Sequence, residues 1–565
     1  MGSRFKHYPV RPKRLTAGFA KVEYARLLKR LPAAEAAKSP EAWLKLFADW
    51  NALKSYVGSE GGRIYHRFSK NMENKTAAAA EKYFREEIVP EVDKPEHQLM
   101  VAFLDSRHRS AMAKKYGEHL VEVYQTALKP FEPINSRLRI KNSRLVEKYE
   151  KLLAQGTVKI GKQKMTLNRA GSLLSSEDRT VRKEAYFAIA DWFLKQHRPM
   201  SQIYQKLLAI RNQMGVNVGY KSFTPLAYEA MGRADYDESE VKQFRANVRK
   251  YVVPLRRKLM AKHAASLGTK QVAPWDASFN PDLTLALGIV PVDSQLDKAQ
   301  RLFNKLSPWL AKHFKTMRAK NLIDLEDRPG KRSGAYCTAF SDEGVAAIFC
   351  NSTGDAPDVR TLTHEMGHAF QYWESQAIEA VDLQGGTADL AEVESTGMEF
   401  MSLRHIDEFF KPEDSKKFVE NCWLRTINLL GYVCVVDEFQ HWAYANPEAS
   451  FAKFDAKWIE LSDKYTPGIS YKGAQKYRKI GRVNKHHIFT VPFYYIDYGL
   501  AATAAMQLAL IDAKDHKKAM TLYRKLCQRG GTQGFLTALK SSGLRSPFDE
   551  KLMADLVAHA SKILL

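Results

Sequence analysis

Cysteine is scarce. The 565 residues hold five, the nearest two, Cys422 and Cys434, stand twelve apart, and no C-x-x-C occurs. Neither a disulfide framework nor a cysteine-based zinc site is indicated. Long apolar runs are missing as well. The longest nearly apolar stretch, 498–511, covers 14 residues and includes Thr503 and Gln507, short of the roughly 20 that a membrane-crossing helix needs. The first residues, Met1-Gly-Ser-Arg-Phe-Lys-His-Tyr8, are basic with no apolar segment behind them. No secretory signal is therefore expected, and a cytoplasmic location is. No repeat period and no low-complexity tract is visible.

Acidic residues are outnumbered, 63 against 87 basic, for a net charge of +24. Such a balance invites a nucleic-acid reading, but its distribution argues otherwise. Lys and Arg are scattered through helical patterns such as 179–183 and 242–262, and no basic tail, zinc-finger spacing or RNP-type motif occurs. The expectation is a solvated basic surface with no dedicated nucleic-acid or membrane site and no obligate protein partner. Such a surface would still speed encounter with acidic ligands.

An apolar share of 45% and a charged share of 27% are those of a globular protein. The length allows three or four domains or one large helical body, with a core that needs no staple. Helical periodicity dominates. It covers 39–53, where Ser39 and Pro40 suit a cap and first turn, then 76–89, 96–124, 143–155, 176–193, 199–214, 238–267 and 296–320. Pro254 and Pro308 predict a kink or break in the last two. Strand alternation is confined to a hairpin at 157–165 and a pair at 334–340 and 346–351, joined by Ser341-Asp-Glu-Gly344. Stretches 274–291 and 325–334 read as loops. The fold class is mainly α.

One motif stands above this background: His364-Glu365-Met366-Gly367-His368. Residues four apart share a helix face, so both imidazoles can point at one ion. Glu365 sits about 100° around the helix, beside the metal without having to coordinate it, as suits a base for an attacking water. Asp355 suits the N-cap, with Pro357 and Asp358 in the first turn. Gly367 costs about 1 kcal/mol inside a helix and predicts close approach of something to that face.

A catalytic zinc needs a third protein ligand and an open position. After Gly385-Gly386 comes a second helix capped by Thr387 and carrying Asp389, Glu392, Glu394 and Glu399. Glu392 and Glu399 are two turns apart on one face; Glu394 points away from Glu392. If Glu392 is the ligand, Glu399 can steady a zinc-bound histidine. Farther on, His486-His487-Ile-Phe-Thr-Val-Pro492-Phe-Tyr494-Tyr495-Ile-Asp497-Tyr498 packs two histidines and three tyrosines into a short span. Pro492 suits the first turn of a helix to about residue 513, on which Tyr495 and Tyr498 share a face. A phenol and an imidazole are suitable donors to the oxyanion of peptide hydrolysis, although aromatics at helical spacing are more often core.

Taken in order, these motifs resemble the oligoendopeptidase F family. They are Gly334-Ala-Tyr-Cys337, Asn351…Gly354-Asp355, His364-Glu-Met-Gly-His368 with Ala369-Phe370-Gln371, Ala391-Glu392 with Ser395-Thr396 and Glu399, and Pro492 to Tyr498. The family is related to thimet oligopeptidase, and the length suggests the Pz-peptidase-like branch. The detailed match covers about 334–513; the N-terminal half is similar only in length and helical character. The resemblance implies an elongated helical metallopeptidase with two helical halves around a deep channel and a small antiparallel β element beside the zinc helix. Residues 1–200 would form one wall and 201–565 the catalytic region, as one continuous unit. It implies one Zn2+ held by His364, His368 and Glu392, with Glu365 as general base and Glu399 behind the ligands. It selects Glu392 over Glu394 because the family's ligand precedes a Ser-Thr pair. It places His487 and Tyr498 on the substrate carbonyl, with Tyr495, His486, Gly334 and Ala335 binding substrate; spacing in the thimet branch would favour His486 over His487.

The function expected is a zinc endopeptidase for short unstructured peptides. The alternatives are a zinc exopeptidase, a helical peptide-binding or scaffold protein with a vestigial metal site, and a basic nucleic-acid binder.

Overall fold

The helical periodicity becomes helix along most of the described residues, and five short strands accompany it there. This computed structural model describes residue 12 and residues 14–565, so the basic stretch 1–8 lies outside the described residues. Helix α1 (Ala17–Ala36) starts where the Thr16 hydroxyl accepts the Phe19 N–H. Helix α2 (Glu41–Lys70) follows Pro40 and runs well past residue 53, because its buried stripe from Trp43 to Tyr56 continues to His66 and Ser69. Strands β1 (Thr157–Ile160) and β2 (Gln163–Thr166) form the expected hairpin, turned at Gly161 with φ +56°.

Prolines act differently at different sites. Pro199 lies inside one 39-residue helix, α3 (Arg179–Asn217), where two helices were expected, and residue 200 falls within it. Pro254 follows a π turn at Val248–Val252, the usual accommodation of a missing donor. Pro308 opens a new helix after extended Ser307, so the periodic stretch 296–320 is broken there.

Strand β3 (Ile323–Glu326) overturns part of the loop expected from residue 325. Only Ile323 and Leu325 point inward, and a bulge interrupts the pairing, so four residues carried too little alternation to be read. Strand β4 (Tyr336–Phe340) is the edge of a three-stranded sheet ordered β3-β5-β4. Central β5 (Val345–Ser352) is antiparallel to β4, with Cys337 opposite Ile348, and parallel to β3. Gly354, at φ +97°, turns β5 directly into helix α4 (Ala356–Ser375). Then come α5 (Ala388–Ser402), α6 (Pro412–Ala445), α7 (Tyr495–Asp512) and α8 (His516–Arg529). Among the described residues, no helix is long and apolar enough to cross a membrane.

The chain divides into two compact units, each assembled from three separated stretches. The first comprises the described residues up to Leu128, Ala286–Ser415 and Ala504–Arg545; the second comprises Lys129–Leu285, Lys416–Thr503 and Ser546–Leu565. In the second, Tyr204 of α3 packs on Phe439, Phe454 and Phe489.

In the first unit, Tyr24, Trp43, Trp50 and Phe103 share a core with Ala380 and Leu383. A polar knot crosses that core. Lys54 Nζ lies 3.1 Å from Glu96 and 2.8 Å from Asp382. Trp50 Nε1 donates to Glu96 at 2.9 Å, and the Tyr124 hydroxyl donates to Asp382 at 2.8 Å. Two shielded carboxylates thus depend on one cation. Replacing Lys54 by Met should lower the unfolding free energy by about 3 kcal/mol, since removing one partner strands buried charge. Urea titration checks this; an unshifted midpoint would show that the knot contributes nothing.

Candidate metal centre

The start of α4 is set by Asp358. Its carboxylate accepts the backbone N–H groups of Thr353, Gly354 and Asp355 at 2.9, 2.7 and 3.0 Å. With the first turn fixed, the directions in which His364 and His368 leave the helix are fixed too. Their ring centroids are 5.0 Å apart, one helical turn.

Helix α5 crosses α4 where α4 has no side chain. A Cβ on Gly367 would stand 2.5 Å from Ser395 Cα and 2.7 Å from the Glu394 carbonyl oxygen, a separation only glycine permits. This is the close approach that Gly367 predicted. As a result Glu392 Oε2 lies 3.6 Å from His364 Nε2. One donor atom each from His364, His368 and Glu392 falls within 4.8 Å of the others, the only such metal-competent group among the described residues. Glu394 takes no part: it is buried, and burial alone pushes its carboxyl well above the usual range.

Glu399, two turns beyond Glu392, accepts a hydrogen bond from His364 Nδ1 at 2.6 Å, and Arg360 lies 4.0 Å from its second oxygen. With Nδ1 engaged by Glu399, the His364 ring is oriented so that Nε2 faces Glu392. Burial pushes His364 down, but Glu399, Glu392 and Glu365 outweigh it and bring the imidazole to about 9. Burial, with the charge on His364, takes His368 down to about 3. Burial raises Glu365 to about 7, His364 opposing and the two other carboxylates adding to it. One Glu365 oxygen is served by the Cys337 backbone N–H, while Oε2 is buried with no partner. Carboxylates crowded on two imidazoles around an unpartnered oxygen are what a divalent cation stabilises. Two imidazoles and a carboxylate form a zinc donor set that leaves a position open.

Gly334 and Ala335 lie just ahead of β4. Gly334 has φ +96°, and its carbonyl and that of Arg332 both accept from Asn351 Nδ2 at 2.7 Å.

The second unit carries the aromatic group. The His487 ring lies 4.7 Å from Tyr495 and 6.1 Å from Tyr498, which are 5.4 Å from each other. Burial, with Lys485 and His486 adding, pushes His487 down to about 4, and its Nδ1 has no partner. His486 faces elsewhere, exposed and 3.6 Å from Glu150. Pro492 is not in the first turn of α7, which begins at Tyr495. Between them Phe493 adopts φ +66°, its N–H held by Gln440 at 2.8 Å and its carbonyl by Arg233 at 2.6 Å. Lys485, beside this group, has no place among the residues expected from the sequence. Its signal was available: a lysine directly ahead of two histidines, with no acid from 480 to 496. The Cys337 N–H has no sequence signature at all.

Two family models match this chain: "Peptidase family M3" over residues 172–557 and "Peptidase M3 N-terminal domain" over residues 9–131. Group B oligopeptidase PepB of Streptococcus agalactiae serotype III (strain NEM316) is 21% identical over 66% of this chain and 61% of its own length. Chromosomal oligoendopeptidase F of Lactococcus lactis subsp. cremoris is 23% identical over 62% of this chain and 57% of its own length. The match thus spans about three fifths of these curated relatives. A solved structure of Pz peptidase A with an inhibitor superposes with a TM-score of 0.87 at 28% identity, covering 98% of each chain.

The His364–Glu399 bond yields a test. Glu399→Gln should weaken zinc binding about 10- to 100-fold with the circular dichroism spectrum unchanged, measured by competition with a chromophoric chelator. Unaltered affinity would remove Glu399 from any role in orienting His364.

Proposed function

The chain belongs to peptidase family M3, and from that membership and the convergence of His364, His368 and Glu392 we propose that it is a zinc-dependent endopeptidase for short, unstructured peptides, with one zinc per chain. The observation that carries this reading is the meeting of three zinc-type donors beside the unpartnered oxygen of Glu365. The relatives' own names, oligopeptidase and oligoendopeptidase, support the substrate class. Held by His364, His368 and Glu392, zinc would supply Lewis acidity, polarising the scissile carbonyl and easing ionisation of water near neutral pH.

Glu365 does the proton work. It flanks the ligand atoms without joining them, and the Cys337 N–H steadies one oxygen while the other stays free. That carboxylate takes a proton from the attacking water and passes it to the leaving amine nitrogen. No acyl-enzyme is formed. Tyr498 and His487 are assigned as donors to the carbonyl oxygen while it gains charge; His487 is preferred to His486, which faces Glu150. Tyr495 and the backbone at Gly334 and Ala335 are assigned to substrate binding.

Cleavage mapping on an internally quenched peptide blocked at both ends tests this reading. Internal cuts are expected, abolished by a chelator and restored by zinc; a requirement for a free terminus would mark an exopeptidase. Glu365→Gln should keep its zinc and fold while kcat/KM drops at least about 1,000-fold. Near-normal turnover in that loaded variant would overturn the assigned base. Tyr498→Phe should lower kcat about 100-fold with little change in KM, because its hydroxyl acts on the transition state. An effect confined to KM would count against that role.

A further inference from the structure

Lys485 is a half-buried lysine with no acid to answer it. Its Nζ lies 3.2 Å from the centroid of the Tyr495 ring and 5.0 Å from that of Tyr432. Among the described residues, no carboxylate reaches ion-pair distance of it and no acceptor takes its protons. An ammonium withdrawn from water in this way is stabilised by the negative face of an aromatic ring. Both phenols remain neutral partners: burial, with Tyr498 adding, raises Tyr495 to about 12, and burial raises Tyr432 further. The attraction is therefore to the ring and not to a phenolate.

The amine reaches out from a fixed base. Lys485 precedes the five-residue helix His486–Thr490. That segment is anchored by Arg211, which donates to the carbonyls of Ile488, at 3.1 Å, and Phe489. Tyr149 stacks on Phe489 at 3.8 Å with the rings 3° from parallel. Tyr432 is part of α6. Tyr495, by contrast, is the first residue of α7, directly after the strained turn at Phe493. Its hydroxyl has no hydrogen bond among the described residues. Ring contacts with Tyr432 (5.7 Å), His487 (4.7 Å) and Tyr498 (5.4 Å), together with Lys485, are what hold it.

We propose that Lys485 is a positioning residue whose ammonium, seated on the Tyr495 ring, clamps that ring against His487 and so presents the phenol to substrate. The proposal rests on the assignment of Tyr495 to substrate binding made above. The titratable groups around the amine are Tyr432 from α6, Tyr495 and Tyr498 from α7, and His486 and His487 from its own segment; Glu150 is engaged with His486. Burial pushes Lys485 down to about 7. The clamp is therefore set below that pH, where the amine is charged, and released above it as the proton leaves.

The test compares zinc-loaded wild type, Lys485→Met and Lys485→Arg on a blocked fluorogenic peptide from pH 5.5 to 9. At pH 6, Lys485→Met should raise KM about 10-fold with kcat nearly unchanged, and Lys485→Arg should restore most of the loss. The wild type should show a rise in KM centred near pH 7 that Lys485→Arg, charged throughout, lacks. An unchanged KM in Lys485→Met, or the same alkaline rise in wild type and Lys485→Arg, overturns the proposal. A second readout does not depend on catalysis. In protein labelled with 13Cε-lysine, the Lys485 signal, assigned by its loss in Lys485→Arg, should show an upfield ring-current shift that disappears in Tyr495→Leu. Absence of that shift overturns the clamp itself. A shift in a protein that cleaves no peptide would leave the clamp standing and overturn the peptidase reading instead.

Discussion

Side chains of ordinary length on two helices reach a common point only where the backbones nearly touch. Here they touch at Gly367, whose missing Cβ admits the backbone of Ser395 and Glu394. From that contact follow the reach of Glu392 toward His364 and the bond from His364 to Glu399. Helix α5 is in turn held from behind. The Tyr523 hydroxyl donates to the Glu394 carbonyl at 3.0 Å, and a Cβ on Gly397 would stand 3.0 Å from Leu508 and 3.4 Å from Tyr523. The same closeness buries the group and gathers its charges: burial raises Glu365 and, with the charge on His364, lowers His368, while the carboxylates around His364 outweigh burial and raise it. Two imidazoles and a carboxylate gathered in this way are a donor set suited to a divalent cation.

Much of this was legible because it is local. The spacing of His364 and His368, the cap at Asp355, the Thr387 start of α5 and the two-turn spacing of Glu392 and Glu399 are helix geometry, and helix geometry depends on neighbours in sequence. Gly367 could be read as a close approach, though not what approached. What escaped reading depends on distant residues. Strand β3 exists because β5 offers it an edge, not because four residues alternate strongly. Pro199 was expected to separate two helices, yet the tertiary packing of α3 carries the helix through it. The clamp on Tyr495 depends on Tyr432, more than fifty positions away.

The second unit shows how buried cations shape a short irregular segment. Arg211 ties down the carbonyls of Ile488 and Phe489, while Arg233 binds both the Phe493 carbonyl and Asp497 at 2.6 Å. Together with Gln440 they hold Phe493 in a left-handed conformation that costs a non-glycine residue about 1–3 kcal/mol. The strain persists because the surroundings over-determine it. Its effect is to start α7 at Tyr495, which brings His487, Tyr495 and Tyr498 into one group.

The threefold interleaving of each unit governs when the protein can become itself. The chain passes between the units five times, so neither can be completed from a contiguous piece. The helix carrying His364 emerges during synthesis well before Tyr523, which backs its partner helix. During that interval the apolar faces of the first unit stay open, a period in which association with other chains competes with native packing. Contacts of such sequence separation also slow folding, since loop closure precedes their reward. A newly made chain thus completes the crossing of α4 and α5 late, after Tyr523 has left the ribosome.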